Sequence, residues 1–172
     1  GTTDEPKGVL LTHGNLIWNT LNYSAALEYS PRDIELAPTP LFHTSTFSRT
    51  FTYVFNAMTA IMVRKFSPAE CLAIIEQEQV TSITQAPTMY RMMLDVWSEG
   101  TWDTRSVKRA VTGAAPMSAE TKGSLKKLFP AAGFFDLYGL TEASPGVAIL
   151  TPADFYRKAE SVGRPMLSVE VR

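Results

Sequence analysis

An α/β fold with a mostly parallel sheet is predicted by three observations. Short β-branched or apolar runs alternate with stretches of helical period along the chain. The runs end at His43, Pro87, Gly113 and Gly139. Polar or Gly-containing residues gather just after those ends. Ligands of open α/β sheets bind outside the carboxyl ends of the strands, so the loops after neighbouring strands would line one crevice. The strand order is not readable from these patterns.

Each element has its own signal. Gly8–Thr12 is a short apolar run, and Asn15–Tyr29 carries Leu16, Ile17, Thr20, Leu21 and Ala25 at helical spacing. Pro31 and Asp33 mark a turn before a strand at Ile34–Leu36, which runs through Pro38 and Pro40 into a loop at Phe42-His43. Thr44–Ala57 is ambiguous by period, and Ala60–Val63 reads as a strand. Ser67-Pro68-Ala69-Glu70 opens a helix reaching about Gln79: Ser at the N-cap, Pro at the first helical position, Glu three residues after the cap. Val80–Gln85 is a β-branched run, Met89–Trp97 is helical, and Val107–Thr112 is a strand entering Gly113. Ser118 caps a helix to about Leu128, and Phe134–Leu137 is a strand entering Gly139. The Phe47, Phe51, Phe55 group and the Met89, Met92, Met93 group are expected in the core.

The 172 residues are 45% hydrophobic and 19% charged with formal net charge −1, enough for one domain with a sizeable core. Without a Lys/Arg block there is no electrostatic footprint for nucleic acid, and no apolar run is long enough to span a bilayer. The single Cys71, in an apolar helical stretch, excludes an internal disulfide and suits a reducing, cytoplasmic setting. A chain that opens on Gly1 inside a polar loop, and closes on a strand-like alternation at Leu167–Arg172, is expected to be a partial domain truncated at both ends.

Gly1-Thr2-Thr3-Asp4-Glu5-Pro6-Lys7-Gly8 is compact and hydroxyl-rich with one ammonium, chemistry suited to a polyphosphate. It is not a Walker A loop, which needs Gly at the sixth position and Ser or Thr at the eighth, where Pro6 and Gly8 stand. Taken alone it reads rather as a solvated turn with an exposed Lys. The segments that follow it are Pro40-Leu-Phe-His43, Thr112-Gly-Ala-Ala-Pro-Met-Ser118, Asp136-Leu-Tyr-Gly-Leu-Thr-Glu142 and Ser161-Val-Gly-Arg-Pro165.

In that order these five segments resemble the adenylate-forming superfamily of acyl-CoA synthetases, firefly luciferase and peptide-synthetase adenylation domains, over essentially the whole chain. The resemblance implies residues 1–172 of an AMP-binding N-terminal domain, with the mobile C-terminal domain absent. It places Gly1, Thr2, Thr3 and Lys7 at the phosphates of ATP. Gly113 and Ala114 would lie beneath the nucleotide, Tyr138 would stack on adenine, Asp136 would accept from its amino group, and Gly139 would turn the chain. Thr141 would bond the α-phosphate, and Glu142 would hold Mg²⁺. His43, with Gly113, would border the acid; peptide-synthetase domains place an Asp at this position, so His43 argues for a fatty or aryl acid. His13 is read as structural. Asp4 departs from the family's pattern, which has a second Gly there, and adds a carboxylate beside anionic phosphates.

The activity implied is an ATP-dependent ligase that makes an acyl-adenylate and passes the acyl group to coenzyme A. Thr141, Glu142 and Lys7 would supply the catalytic charge and hydrogen bonds. The ribose-binding Asp, the hinge and the C-terminal Lys would lie outside the chain, so the isolated piece is expected to be inactive. Three alternatives stay open: a non-catalytic nucleotide- or acyl-binding module, an adenylating enzyme with another acyl acceptor, and a plain α/β domain with chance motifs.

Overall fold

The computed structural model describes residues 8–98 and 101–171. The order is α1 (His13–Leu27), β1 (Ile34–Ala37), α2 (Thr44–Phe55), β2 (Thr59–Met62), α3 (Pro68–Glu78), β3 (Ser82–Thr84) and α4 (Pro87–Val96). There follow β4 (Arg109–Gly113), α5 (Ala119–Leu128), β5 (Gly133–Gly139), a 3₁₀ turn at Thr141–Ala143, β6 (Gly146–Leu150) and β7 (Arg164–Pro165). One sheet runs β2-β1-β3-β4-β5-β6-β7. Its first five strands are parallel, while β6 and β7 add antiparallel.

Both faces of the sheet are covered, as a parallel sheet requires. Strand periodicity sends Ala110 and Phe134 to the face packed by Leu72, Ile75, Met93 and Leu125 of α3, α4 and α5. Val111 and Phe135, one residue on, join Tyr23 and Leu27 of α1 on the other face. Connection lengths and layering then fix where a ligand can sit. The crossover from β1 carries α2 and leads outward to β2, whereas α4 and α5 lead from β3 to β4 and β5. The loops leaving β1 and β3 therefore diverge between neighbouring strands, the topological condition for a crevice.

Helix starts follow local chemistry. Thr12 caps α1 reciprocally with Asn15, and Ser118 accepts from the Thr121 N–H at 3.2 Å to cap α5. Ser67 occupies the N-cap of α3 ahead of Pro68 but makes no side-chain cap bond. Cys71 is buried on α3, and burial pushes its thiol up to about 11, an inert structural cysteine.

Three expectations are corrected. Thr44–Phe55, ambiguous by period, is a helix whose buried side is polar: Thr46, Ser48, Arg49 and Thr52 face inward with Tyr53. Phe47, Phe51 and Phe55 consequently face outward, with Phe55 60% exposed, and are not core. With Leu16, Ile17 and Leu21 of α1, Phe51, Val54 and Phe55 border an apolar groove of about 500 Å³. Of the methionine group, Met93 is buried while Met92 is exposed. Leu167–Val171 is not a strand; the chain pairs at Arg164–Pro165 and then turns at Leu167-Ser168, where Asn22 of α1 holds Ser168. The expected phosphate loop, Gly1, Thr2, Thr3 and Lys7, lies outside the described residues.

Candidate functional site

Four strand ends meet as the sequence predicts. The loops after β1, β3, β4 and β5 border one cavity of about 570 Å³, with Pro40, Phe42, His43, Thr44 and Ser45 on one side and Leu137 to Thr141 opposite. Gln85 and Ala86 after β3, and Gly113 and Ala114 after β4, form its floor.

Gly113 is required by close approach: a Cβ there would stand 2.6 Å from the Leu137 carbonyl oxygen on the adjoining strand. Ala114 follows with φ +69°, a left-handed conformation costing a residue with a Cβ about 1 kcal/mol or more. Such strain persists where the surroundings hold it, here at the cavity wall. On β5 the register with β6 shifts at Tyr138/Gly139, and a Cβ at Gly139 would collide with the Pro145 carbonyl at 2.1 Å. The irregularity turns the strand end toward the cavity and leaves Tyr138 47% exposed, with ring area open for stacking.

Opposite it, His43 is the N-cap of α2. Its Nδ1 accepts the Ser45 N–H at 3.3 Å and meets Ser45 Oγ at 2.7 Å. A ring that accepts at Nδ1 carries its proton on Nε2 when neutral, leaving an N–H to offer. The next residue, Thr44, reaches across the mouth: its Oγ1 lies 3.2 Å from Oγ1 of Thr141, 97 residues away. This hydroxyl pair joins the loop after β1 to the turn after β5.

Beneath α2 lies a buried ionic network. Arg49 donates to Glu35 of β1 at 2.5 Å and to Tyr29 at 2.7 Å, and also to Thr84. Its guanidinium stands 5.9 Å from the Tyr23 and Tyr53 ring centres. Burial pushes the phenols of Tyr29 and Tyr53 up, beyond any physiological ionisation. Arg49 thereby fixes the start of α2, and His43 and Thr44 with it, to two sheet strands.

Asp136 and Glu142 stand apart from the cavity lining. Asp136 pairs in register with Thr112, and burial raises its pKa, opposed by the Lys122 ammonium on α5. Lys122 is itself buried, donating to the Ala159 carbonyl at 3.0 Å over the Phe155 ring. Glu142 is exposed on the 3₁₀ turn beside Thr141. Among the described residues no group of three His, Cys, Asp or Glu could hold a metal unaided. His13 is exposed at the start of α1. Sequence reasoning missed Thr44, Arg49, Thr84 and Gln85. The signal available was a lone Arg in an aromatic stretch and a lone Glu in the apolar run Ile34–Ala37, each of which needs a buried partner.

The family model for "AMP-binding enzyme" matches residues 1–172. The chain belongs to the AMP-binding enzyme family. It is 33% identical over 173 residues to feruloyl-CoA synthase from an Amycolatopsis species, a match covering 100% of this chain and 35% of that protein. Among solved structures, the inhibitor-bound N-terminal domain of FACL13 from Mycobacterium tuberculosis superposes with TM-score 0.90 at 26% identity, covering 97% of this chain and 42% of that one. O-succinylbenzoate coenzyme A synthetase from Bacillus subtilis, in complex with ATP and magnesium ion, gives TM-score 0.87 at 30% identity, covering 98% of this chain and 34% of that one. The chain thus spans about a third of the length of such relatives. No helix among the described residues is long and apolar enough to cross a membrane.

Proposed function

We propose that the protein containing this chain is an ATP-dependent carboxylic acid–CoA ligase, acting in the cytoplasm on an aryl or fatty acid. The observation that supports it is the convergence of four strand-end loops on one cavity, with an open tyrosine face at one wall and a hydroxyl pair across its mouth. Relatives matched over the whole of this chain are named feruloyl-CoA synthase and 2-succinylbenzoate–CoA ligase.

In this reading adenine lies on Tyr138 above Gly113 and Ala114, which line the cavity just after β4. Asp136, outside the cavity lining but in register with Thr112 at its edge, would be the acceptor for the purine amino group. The phosphates run toward Thr141, and Gly1, Thr2, Thr3 and Lys7 are assigned to them from the sequence pattern alone. The acid enters past Phe42, and the Nε2–H of His43 meets its carboxylate. A carboxylate oxygen bonds to the α-phosphorus as the bond from that phosphorus to the pyrophosphate oxygen breaks; the thiolate of coenzyme A then takes the acyl group and releases AMP. Two anions react in the first step, so positioning and charge neutralisation do most of the work. Glu142 fits Mg²⁺ as one exposed carboxylate among substrate phosphate oxygens, the habit of a hard cation. Mg²⁺ would supply neutralisation of the phosphate charge.

The 172-residue chain alone should be inactive, because each transition-state contact it lacks is worth several kcal/mol. Full-length protein incubated with ATP, Mg²⁺, coenzyme A and a panel of aryl and fatty acids should yield acid-dependent AMP and an acyl-CoA mass. No acid-dependent AMP with any of them contradicts the ligase, and thioester from the 172-residue chain alone contradicts its inactivity.

A further inference from the structure

The hydroxyl pair at the mouth points to a role for a residue the motif pattern does not include. Thr141 sits on an exposed 3₁₀ turn, and among the described residues its side-chain hydroxyl has one partner, Thr44 Oγ1 at 3.2 Å. Thr44 Oγ1 likewise has no other partner there. Thr44 is held firmly: it is the first residue of α2, next to the His43 cap, on a helix tied to β1 and β3 through Arg49.

A threonine hydroxyl has one proton and can accept two. If Thr141 gives its proton to an anionic oxygen, its Oγ1 can only accept from Thr44. The order is then Thr44 O–H to Thr141 Oγ1, and Thr141 O–H to the anion. An O–H that accepts a hydrogen bond is polarised and becomes a better donor. The same bond selects one side-chain rotamer of Thr141, a residue that exposed turn geometry alone would leave to rotate.

We propose that Thr44 is a positioning residue: it orients and polarises the Thr141 hydroxyl toward the reacting phosphate. This rests on the ligase reading above. Thr44 carries no proton away and forms no bond to substrate.

The test is acid-dependent exchange of labelled pyrophosphate into ATP by the full-length protein, comparing wild type, Thr44→Val and Thr44→Ser. Val keeps the shape and removes the hydroxyl; Ser keeps the hydroxyl. Thr44→Val should lower kcat/KM for ATP by roughly three- to tenfold, the effect of one lost hydrogen bond, with KM for the acid and the melting temperature unchanged. Thr44→Ser should stay within about twofold of wild type. Wild-type kinetics in Thr44→Val overturn the proposal. So does equal damage in Thr44→Val and Thr44→Ser, which would assign the effect to packing at the start of α2. A wild-type protein without exchange overturns the ligase reading itself, and is told apart because no variant is needed to see it.

Discussion

Arg49 of α2 and Glu35 of β1 meet at 2.5 Å with 3% and 0% of their side chains exposed, beneath the loop that carries His43 and Thr44. The pair links the His43 side of the cavity to the centre of the sheet. Burial is the largest influence at Arg49 and opposes its charge, but attraction to Glu35 together with the surrounding Tyr29, Tyr53 and Tyr23 outweighs it and holds the guanidinium charged.

Removing one partner leaves the other buried and uncompensated. Arg49→Met or Glu35→Leu should each cost about 3–5 kcal/mol of stability. The double replacement should cost clearly less than the sum, because both desolvated charges leave together. Thermal unfolding of the three variants checks this; strictly additive losses would mean that the charges are not coupled.

Gly113→Ala would press a methyl carbon onto the Leu137 carbonyl, a backbone atom that yields only if β4 and β5 part. The expected loss is about 1–3 kcal/mol of stability together with weakened nucleotide binding, since parting β4 from β5 displaces the Gly113 and Leu137 lining of the cavity. Calorimetric titration with ATP and Mg²⁺ measures the second effect. Unchanged binding would remove Gly113 from the nucleotide floor.

Asp33 sets an acid limit to stability. Burial alone would raise its pKa, but hydrogen bonds from Ser30, Thr81 and Arg109 outweigh it and hold the carboxyl below its ordinary value. The unfolded chain then binds the proton more readily, so this contribution is complete above the ordinary carboxylate value of about 3.9. It is lost as pH falls through the lower folded value. Melting temperature followed down the acid limb should fall more gradually in Asp33→Asn than in wild type, from a lower starting point at neutral pH.

Asp136 has the opposite sign. Burial raises its pKa against the pull of Lys122, so its stabilising contribution belongs to the protonated form and is lost as pH rises through the folded value. At neutral pH Asp136→Asn should therefore melt higher than wild type. If the carboxylate accepts from adenine, the same variant should bind ATP about fivefold more weakly, as a charged acceptor becomes neutral. Higher stability with undiminished affinity would separate Asp136 from the nucleotide.

The parallel half of the sheet was legible because Pro, Gly and His punctuate its strand ends, and those residues mark where the cavity opens. Helix α2 was not, because its inward side is Thr46, Ser48, Arg49 and Thr52, and a helical pattern sought in apolar residues picks out Phe47, Phe51 and Phe55 on the wrong face. Strand β6 was missed for a different reason: Gly146–Leu150 returns antiparallel from a tight turn and breaks the strand–helix alternation. Gly113, Ala114, Tyr138, Gly139 and Thr141 were singled out through the family resemblance rather than by residue type, and the structure sets them around one cavity. Thr44, Thr84 and Gln85 were not, since ordinary polar residues gain their place only when β1, β3 and β5 are brought side by side.

The central claim is spatial: nucleotide and acid meet in the crevice bordered by the ends of β1, β3, β4 and β5. A crystal structure of the full-length protein with a stable acyl-adenylate analogue tests it most directly. The account predicts the adenine against Tyr138 over Gly113 and Ala114, the phosphate beside Thr141 and the acyl group next to His43. An analogue bound elsewhere, with Tyr138 and Thr141 facing solvent, would contradict it.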